Sequence, residues 1–283
     1  MYSNILVPLD ANRQDDYWQK SPLQQAIEIG GAGASIHLMT AIPFHWMHGF
    51  YPDIHKHALV KESKAKLEAI MENECPSNID VDICVDEGGA ISSDILKIAD
   101  ELSVDAIVMA THMPMVRDYL LGSHASHVAL HAQCSVFVVR TTACSKILVP
   151  VDTNYESDEW LEEPLQLACE MAQRFQASMT VVSIIPDLLL RTGNGQLDSV
   201  VNRARDKLDA IVAKYCPGDL HIDVNVIQGG ICQEILRAVK EQSIDLVIMA
   251  SHGPVLKDYV IGSNAAYVAL HAPCSVFVIR DES

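Results

Sequence analysis

Two aspartates, two glycine–serine pairs and two histidines recur at matched positions in this chain. Their types suit the holding of a hydroxyl-bearing, anionic ligand. Asp10 closes the run Ile5-Leu6-Val7-Pro8-Leu9, and Asp152 closes Ile147-Leu148-Val149-Pro150-Val151. A carboxylate at the end of an apolar strand accepts hydrogen bonds from sugar hydroxyls, or else it turns the polar loop that follows. Gly122-Ser123 and Gly262-Ser263, the latter followed by Asn264, each open a helical stretch. Glycine lets backbone N–H groups approach a phosphate, and a helix start aims its positive end at the anion. The serine hydroxyl then either donates to phosphate or caps the helix. Ahead of these pairs stand Ala110-Thr111-His112-Met113 and Ala250-Ser251-His252-Gly253. There His112 and His252 serve a local structural hydrogen bond or a ligand contact.

These residues come in pairs because the sequence is written twice. Leu130-His131-Ala132-Gln133-Cys134-Ser135-Val136-Phe137-Val138-Val139-Arg140 returns as Leu270-His271-Ala272-Pro273-Cys274-Ser275-Val276-Phe277-Val278-Ile279-Arg280, and the offset drifts only from 142 to 140 residues. A solenoid unit recurs every ~20–50 residues, so this repeat is a whole duplicated domain. The expected domains are 1–141 and 145–283. The short linker Thr141 to Ser145 predicts that they stay packed together.

The elements that position the matched residues are legible in each copy. In the second, apolar runs predict strands at Lys146–Val151, Ser178–Ile185, His221–Ile227, Ile244–Ala250 and Ser275–Arg280. A polar loop, Thr153 to Glu163, leads to a helix starting near Pro164. Further helices are expected at Val200–Tyr215, Ile231–Gln242 and Ala265–His271. In the first copy strands fall near Asn4–Leu9, Ser35–Ile42, Asp80–Val85, Ala106–Ala110 and Ser135–Arg140. Strands alternating with helices predict an α/β fold: two tandem open parallel five-stranded sheets with helices on both faces. Ligands of such sheets bind at the carboxyl ends of the strands, where the strand order reverses.

Composition narrows the function classes. The 283 residues suffice for two domains with their own cores, and no apolar run approaches the ~18 residues that span a bilayer. The first residues lack a basic stretch followed by an apolar one, so no secretory signal is read and a cytoplasmic location is expected. A net charge of −17 argues against nucleic acid and anionic membrane as partners. The eight cysteines form no C-x-x-C pair, and Cys75 matches Cys216 as Cys134 matches Cys274. They read as small apolar residues of a reduced compartment.

Five pieces recur in order: I-L-V-P-x-D, the glycine turn after the third strand, M-A-S/T-H, the later G-S, and H-A-x-C-S-V-F-V-V/I-R. Together they resemble the universal stress protein family in tandem form, over nearly the whole chain. The resemblance implies an adenine-nucleotide-hydrolase-like fold and an intramolecular pseudo-two-fold dimer, with the last strands Ser135–Arg140 and Ser275–Arg280 antiparallel. Association of two chains into a further homodimer is compatible with it. In the family's nucleotide-binding branch, phosphates sit on G-x-x-G, nine residues, then G-S/T. Carried over, Asp10 and Asp152 match the ribose-holding Asp, and Ala41 and Ile184 match the adenine-contacting position. The implied ligands are ATP, ADP or AMP, with Mg²⁺.

This chain departs from that pattern in its phosphate loops. Ala250 replaces the first glycine of the second copy, and eight residues rather than nine separate Gly253 from Gly262. In the first copy Ala110 and Met113 replace both glycines, and Pro114 and Pro254 each remove an N–H donor. The expected function is a cytoplasmic stress-response protein that binds a small ligand, an adenine nucleotide in the second domain, and acts through unidentified protein partners. The alternatives are a scaffold that binds no nucleotide and a slow ATP hydrolase. No matched nucleophile–base pair, P-loop or Rossmann glycine pattern is present, so no catalytic residue is named and an enzyme is not expected.

Other residues carry competing readings. Arg117-Asp118-Tyr119 and Lys257-Asp258-Tyr259 offset phosphate charge or form solvated loops. His45, His48, His55 and His57 are read in one loop with Trp46, Phe50 and Tyr51, as packing, a lid or a zinc site without standard spacing. No metal ligand is named. His124, His127 and His131 share a helical face, and His131 and His271 are read as structural. Trp18 and Trp160 match, each in an acidic loop just before a proline, and are read as core in preference to a plug of the domain or of the face between domains.

Overall fold

The computed structural model describes residues 2–11, 16–31, 33–42, 53–87, 89–111, 122–186, 197–251 and 262–280. They divide into two units, one ending at Thr142 and the other beginning at Ala143. Unit 1 runs β1 (Asn4–Pro8), α1 (Asp16–Gly30), β2 (Ser35–Ile42), α2 (Asp53–Glu74), β3 (Asp80–Glu87), α3 (Ile91–Glu101), β4 (Ala106–Ala110), α4 (Ser123–His131) and β5 (Ser135–Val139). Unit 2 repeats the order with β6 (Lys146–Val151), α5 (Glu162–Phe175), β7 (Ser178–Ile185), α6 (Leu197–Tyr215), β8 (Ile222–Gln228), α7 (Ile231–Gln242), β9 (Leu246–Ala250), α8 (Ser263–His271) and β10 (Ser275–Ile279).

Each unit is a parallel sheet. Unit 1 has the order β3-β2-β1-β4-β5, and unit 2 has β8-β7-β6-β9-β10. α1 packs with α2 and α3 with α4; α5 packs with α6 and α7 with α8. The inner strands are continuous apolar runs because helices cover both faces. Ile147, Leu148 and Val149 of β6 and Phe277 of β10 are fully buried. The chain leaves β1 toward β2 and returns on the other side as β4. The order therefore reverses between β1 and β4, and between β6 and β9.

An aspartate fixes the start of each first strand. Asp105 accepts from the Ser3 amide at 2.6 Å, the Ser3 hydroxyl at 2.9 Å and the Asn4 amide at 3.1 Å. Asp245 does the same in unit 2, from the Ser145 amide at 2.9 Å and the Lys146 amide at 3.1 Å. The following residue in each copy is the first of a fully apolar run, so this clamp sets where burial begins.

Several boundaries move for local reasons. β9 starts at Leu246 rather than Ile244, because Ser243 adopts a left-handed conformation and the Ile244 amide closes on Val239 O at 3.0 Å. β8 is shifted by one residue, β1, β5 and β10 end one residue early, and β3 extends to Glu87 in full register with β2. The loop expected to reach Glu163 instead contains a 3-10 turn, Glu159–Leu161, and α5 begins at Glu162 with Pro164 in its first turn. α6 and α8 begin earlier than expected, at Leu197 and Ser263. His55 and His57 lie on α2, so they do not belong to a loop with His45 and His48. The latter two, with Trp46, Phe50 and Tyr51, fall outside the described residues. After β8, Gly229 takes φ +150°, and a Cβ there would meet Glu234 Cγ at 2.8 Å. Only glycine fits that turn.

All eight cysteines are free thiols. Burial pushes the Cys144 thiol up to about 12, with Asp245 adding to the effect, so it stays protonated at neutral pH. No described helix is long and apolar enough to cross a membrane.

Candidate functional site

The switch point of unit 2 opens as a cleft of about 200 Å³. Its floor is apolar: Val182 and Ile184 from β7, Ile231 and Ile235 from α7, and Met249 from β9. Asp152, directly after β6, and Gly262, Ser263 and Asn264 at the start of α8 belong to its described lining, together with residues of β6 and β9. The fold thus brings together Asp152, Ile184, Ala250, Gly262, Ser263 and Asn264. His252 and Gly253 lie outside the described residues.

Local bonds orient these groups. Asp152 Oδ1 accepts from the Asn154 amide at 2.9 Å and from Asn154 Nδ2 at 2.7 Å, a turn that holds the carboxylate at the strand end. Thr153 Oγ1 and Ser183 Oγ, 2.9 Å apart, tie that turn to β7. The Gly262 amide donates to Ser251 O at 2.7 Å, pinning the entry to α8 against the end of β9. Gly262 is the N-cap, with extended ψ of 146°, and no side chain caps the helix. Ser263 is therefore the first helical residue and does not cap, contrary to one reading of its type. The first intrahelical bond runs from Ala266 N to Gly262 O at 3.0 Å. Hence the amides of Ser263, Asn264 and Ala265 have no acceptor within their own helix. Asn264 Oδ1 takes the Cys232 thiol at 3.1 Å, which turns that side chain toward α7, and burial raises the Cys232 thiol above its ordinary range.

Tyr155 and Trp160 also line the cleft. Trp160 was expected in the core; instead it is half-buried in the 3-10 turn. Its Nε1 donates to Ser157 O at 3.2 Å, and its ring meets Tyr155 edge-on with centroids 5.8 Å apart at 87°. The loop is fastened to α6. Lys207 Nζ donates to Tyr155 O, and Asp158 accepts from Lys214 Nζ at 2.8 Å and Tyr215 Oη at 2.9 Å. Trp160, Ala250 and Ser251 also border an adjoining cavity of about 260 Å³ lined by Glu159, Glu162 and Glu163.

The hydrogen bond from Lys214 holds the Asp158 carboxyl below its ordinary range. Unfolded Asp titrates near ~3.9. The clamp's contribution is thus present above that value and is lost as pH falls through the lower folded value. Asp158→Asn should cost about 0.5–1 kcal/mol near neutral pH, since the pair is partly solvated. In urea unfolding across pH, that difference should shrink toward zero in the acid window. A difference that persists there would show that the charge does not hold the loop.

The profile described as the universal stress protein family matches residues 1–140 and again 144–280. The chain belongs to the universal stress protein family. Each half of this tandem universal stress protein corresponds in length to a complete relative. One such relative, a universal stress protein from Methanothermobacter thermautotrophicus, is 30% identical over 152 residues, 50% of this chain and 97% of its own length. Universal stress protein G of Escherichia coli O157:H7 is 26% identical over 147 residues, 50% of this chain and all of that protein. A universal stress protein from Archaeoglobus fulgidus DSM 4304 superposes over the whole tandem, with TM-score 0.63 at 16% identity, covering 98% of each chain. At that identity the likeness concerns the fold.

The first universal stress protein domain repeats part of this architecture. Asp10 is exposed beyond β1, and the Ala11 amide donates to Thr40 Oγ1 at 3.4 Å, where the second domain uses Thr153 and Ser183. Ala41 in β2 is paired with Asp86, and it replaces the larger Ile184. Gly122 caps α4 with ψ 150°, and Ser123, like Ser263, starts the helix without capping it. His112, Met113 and Arg117-Asp118-Tyr119 lie outside the described residues, as does Lys257-Asp258-Tyr259. The α1 backbone holds Trp18, whose side chain is likewise outside them.

The last-turn histidines are structural, as read. His131 Nδ1 and His271 Nδ1 each lie 2.8 Å from the carbonyl four residues earlier, and their rings stack on His127 and Tyr267 at 4.1 Å. Among the described residues no three His, Cys, Asp or Glu side chains converge as metal ligands. Sequence reasoning missed Tyr155 as a cleft residue and misassigned Trp160. The available signal was the matched Trp in an acidic loop directly following the strand-end Asp.

Proposed function

We propose that the second domain of this stress protein binds an adenine nucleotide in its switch-point cleft. Occupancy then governs contacts with partner proteins in the cytoplasm, and the first domain serves as an interaction module. The observation that carries this reading is a convergence. One cleft joins a strand-end carboxylate, an apolar floor of Val182, Ile184, Ile231, Ile235 and Met249, and a helix start whose first amides have no acceptor in their own helix. Both bonds to Asp152 from its own turn fall on Oδ1, so Oδ2 suits a ribose hydroxyl. The Ser263 hydroxyl, which does not cap α8, suits a phosphate oxygen. Among the described lining residues Asp152 is the one carboxylate, so any Mg²⁺ would arrive held by the phosphates rather than by a protein cage. The reading is one of binding, with no catalytic group assigned.

Asp152→Ala should weaken nucleotide binding by about 10–100-fold, the worth of hydrogen bonds to a charged group. Asn154→Ala, which frees the turn but keeps the carboxylate, should retain most of the affinity. Equilibrium dialysis of the full chain with labelled AMP, ADP and ATP measures both. The alternative reading, a scaffold without nucleotide, draws on the absence of Lys and Arg from the described cleft lining. It prevails when the untagged protein neither releases nucleotide on denaturation nor takes any up.

A further inference from the structure

We infer that Trp160 is the stacking surface of this cleft and that the cleft selects a planar ring of low charge, a nucleoside or nucleoside monophosphate, over a nucleoside triphosphate. The inference rests on the reading of the cleft as a nucleotide site and concerns which nucleotide it takes.

The first support is the state of the indole. Trp160 is half-buried, its N–H is spent on Ser157 O, and its edge contact is spent on Tyr155. It nevertheless borders both cavities at the ends of β6 and β9. An indole with its polar atom satisfied has only apolar ring surface left to offer a ligand. A planar base stacks well on such a surface whatever its hydrogen-bonding pattern. The ring is also held in place beforehand. Lys207 fastens the Tyr155 carbonyl, and Lys214 and Tyr215 fasten Asp158, all from α6. A ring ordered before binding loses little freedom when a ligand arrives.

The second support is charge. Neither cavity has a Lys or Arg among its described lining residues. The annex sharing Trp160, Ala250 and Ser251 is lined by Glu159, Glu162 and Glu163. Those carboxylates line the same annex as Ala250 and Ser251 at the β9 end, on the side where a phosphate chain leaving the helix start would run. Anionic groups inside a Debye length of ~8 Å repel each added phosphate. The whole chain, at −17, supplies no compensating field. The start of α8 presents amides that no acceptor of its own helix takes, and these suit one phosphate, whereas a second and third would find no Lys or Arg among the described lining residues.

Equilibrium dialysis and tryptophan emission on the full chain test this, with adenosine, AMP and Mg-ATP as probes. AMP is expected to bind about tenfold or more tightly than Mg-ATP. Trp160→Ala is expected to weaken AMP about tenfold or more, and Trp160→Phe to keep most of the affinity while losing the ligand-induced change in emission. Trp160→Leu is a second truncation of the ring, and circular dichroism identifies which variants fold. Mg-ATP binding tighter than AMP, or folded Trp160→Ala and Trp160→Leu proteins with unchanged AMP affinity, would overturn the inference and leave the nucleotide reading intact. A natural chain that binds none of the three probes would overturn both.

Discussion

Phe277→Ala should remove about 3–5 kcal/mol from the second domain. Phe277 is fully buried in β10, where every residue of the strand is buried and Ile248 of β9 lies directly beside it in register. Deleting the ring forfeits its transfer from water and leaves a cavity between helices and sheet that a parallel strand cannot collapse around. Phe137, 1% exposed in β5 beside Val108, should show the same loss in the first domain. Urea unfolding of the full chain, followed by circular dichroism, measures both. Two separable transitions are expected once one domain is weakened, because a single two-state description does not hold for two units of unequal stability. A loss below about 1 kcal/mol in either variant would show that the void is refilled by neighbouring side chains.

Ile184→Trp should abolish ligand uptake, a fall of about 100-fold or more, at a modest cost in stability. Ile184 is 7% exposed and forms the floor of the cleft at the end of β7. An indole there has no room below, since the sheet is close-packed, so it must rise into the space a base would occupy. Overpacking of this kind costs about 1–3 kcal/mol, which thermal melts of the full chain would report. The matched substitution in the first domain, Ala41→Trp, should leave binding at the second site unchanged. Loss of binding in Ala41→Trp, or unaltered binding in Ile184→Trp, would move the ligand out of the second-domain cleft.

What sequence could and could not reveal follows from how each signal arises. Strands buried on both faces are written as unbroken apolar runs, so Lys146–Val151, Ser178–Ile185, Ser35–Ile42 and Ala106–Ala110 lie within the bounds their composition indicates. β9 was harder, because Ile244 is apolar yet belongs to the left-handed exit from α7, a backbone event that hydrophobicity does not encode. In the site, the cleft is lined by Asp152, which the strand-end pattern singles out, and by Ile184, which only the family resemblance supplied. Ser263 was ambiguous between cap and ligand, since both uses require the same hydroxyl at a helix start, and only ψ at Gly262 decides that glycine takes the cap position. Trp160 was misread because large aromatic residues bury most of their area on average. Its half-exposed position depends on a 3-10 turn and on bonds to residues of α6 more than 40 positions away, as with Lys207 and Tyr155 at a separation of 52.

The aspartate clamps have a consequence for how the duplicated chain is made. Ser3 must find Asp105 across 102 residues, and Ser145 must find Asp245 across 100. β1 and β6 are the first strands of their domains to leave the ribosome, yet each belongs in the interior of its sheet and must wait for a late strand to flank it. Their sequences are nearly the same, so β6 is a competitor for the place of β1 beside β4, and domain swapping is a characteristic failure of such repeats. Synthesis in order resolves the contest. Asp105 is made before Ile147-Leu148-Val149-Pro150, so the first sheet can close on its own opening strand before a second copy of that strand is available to compete.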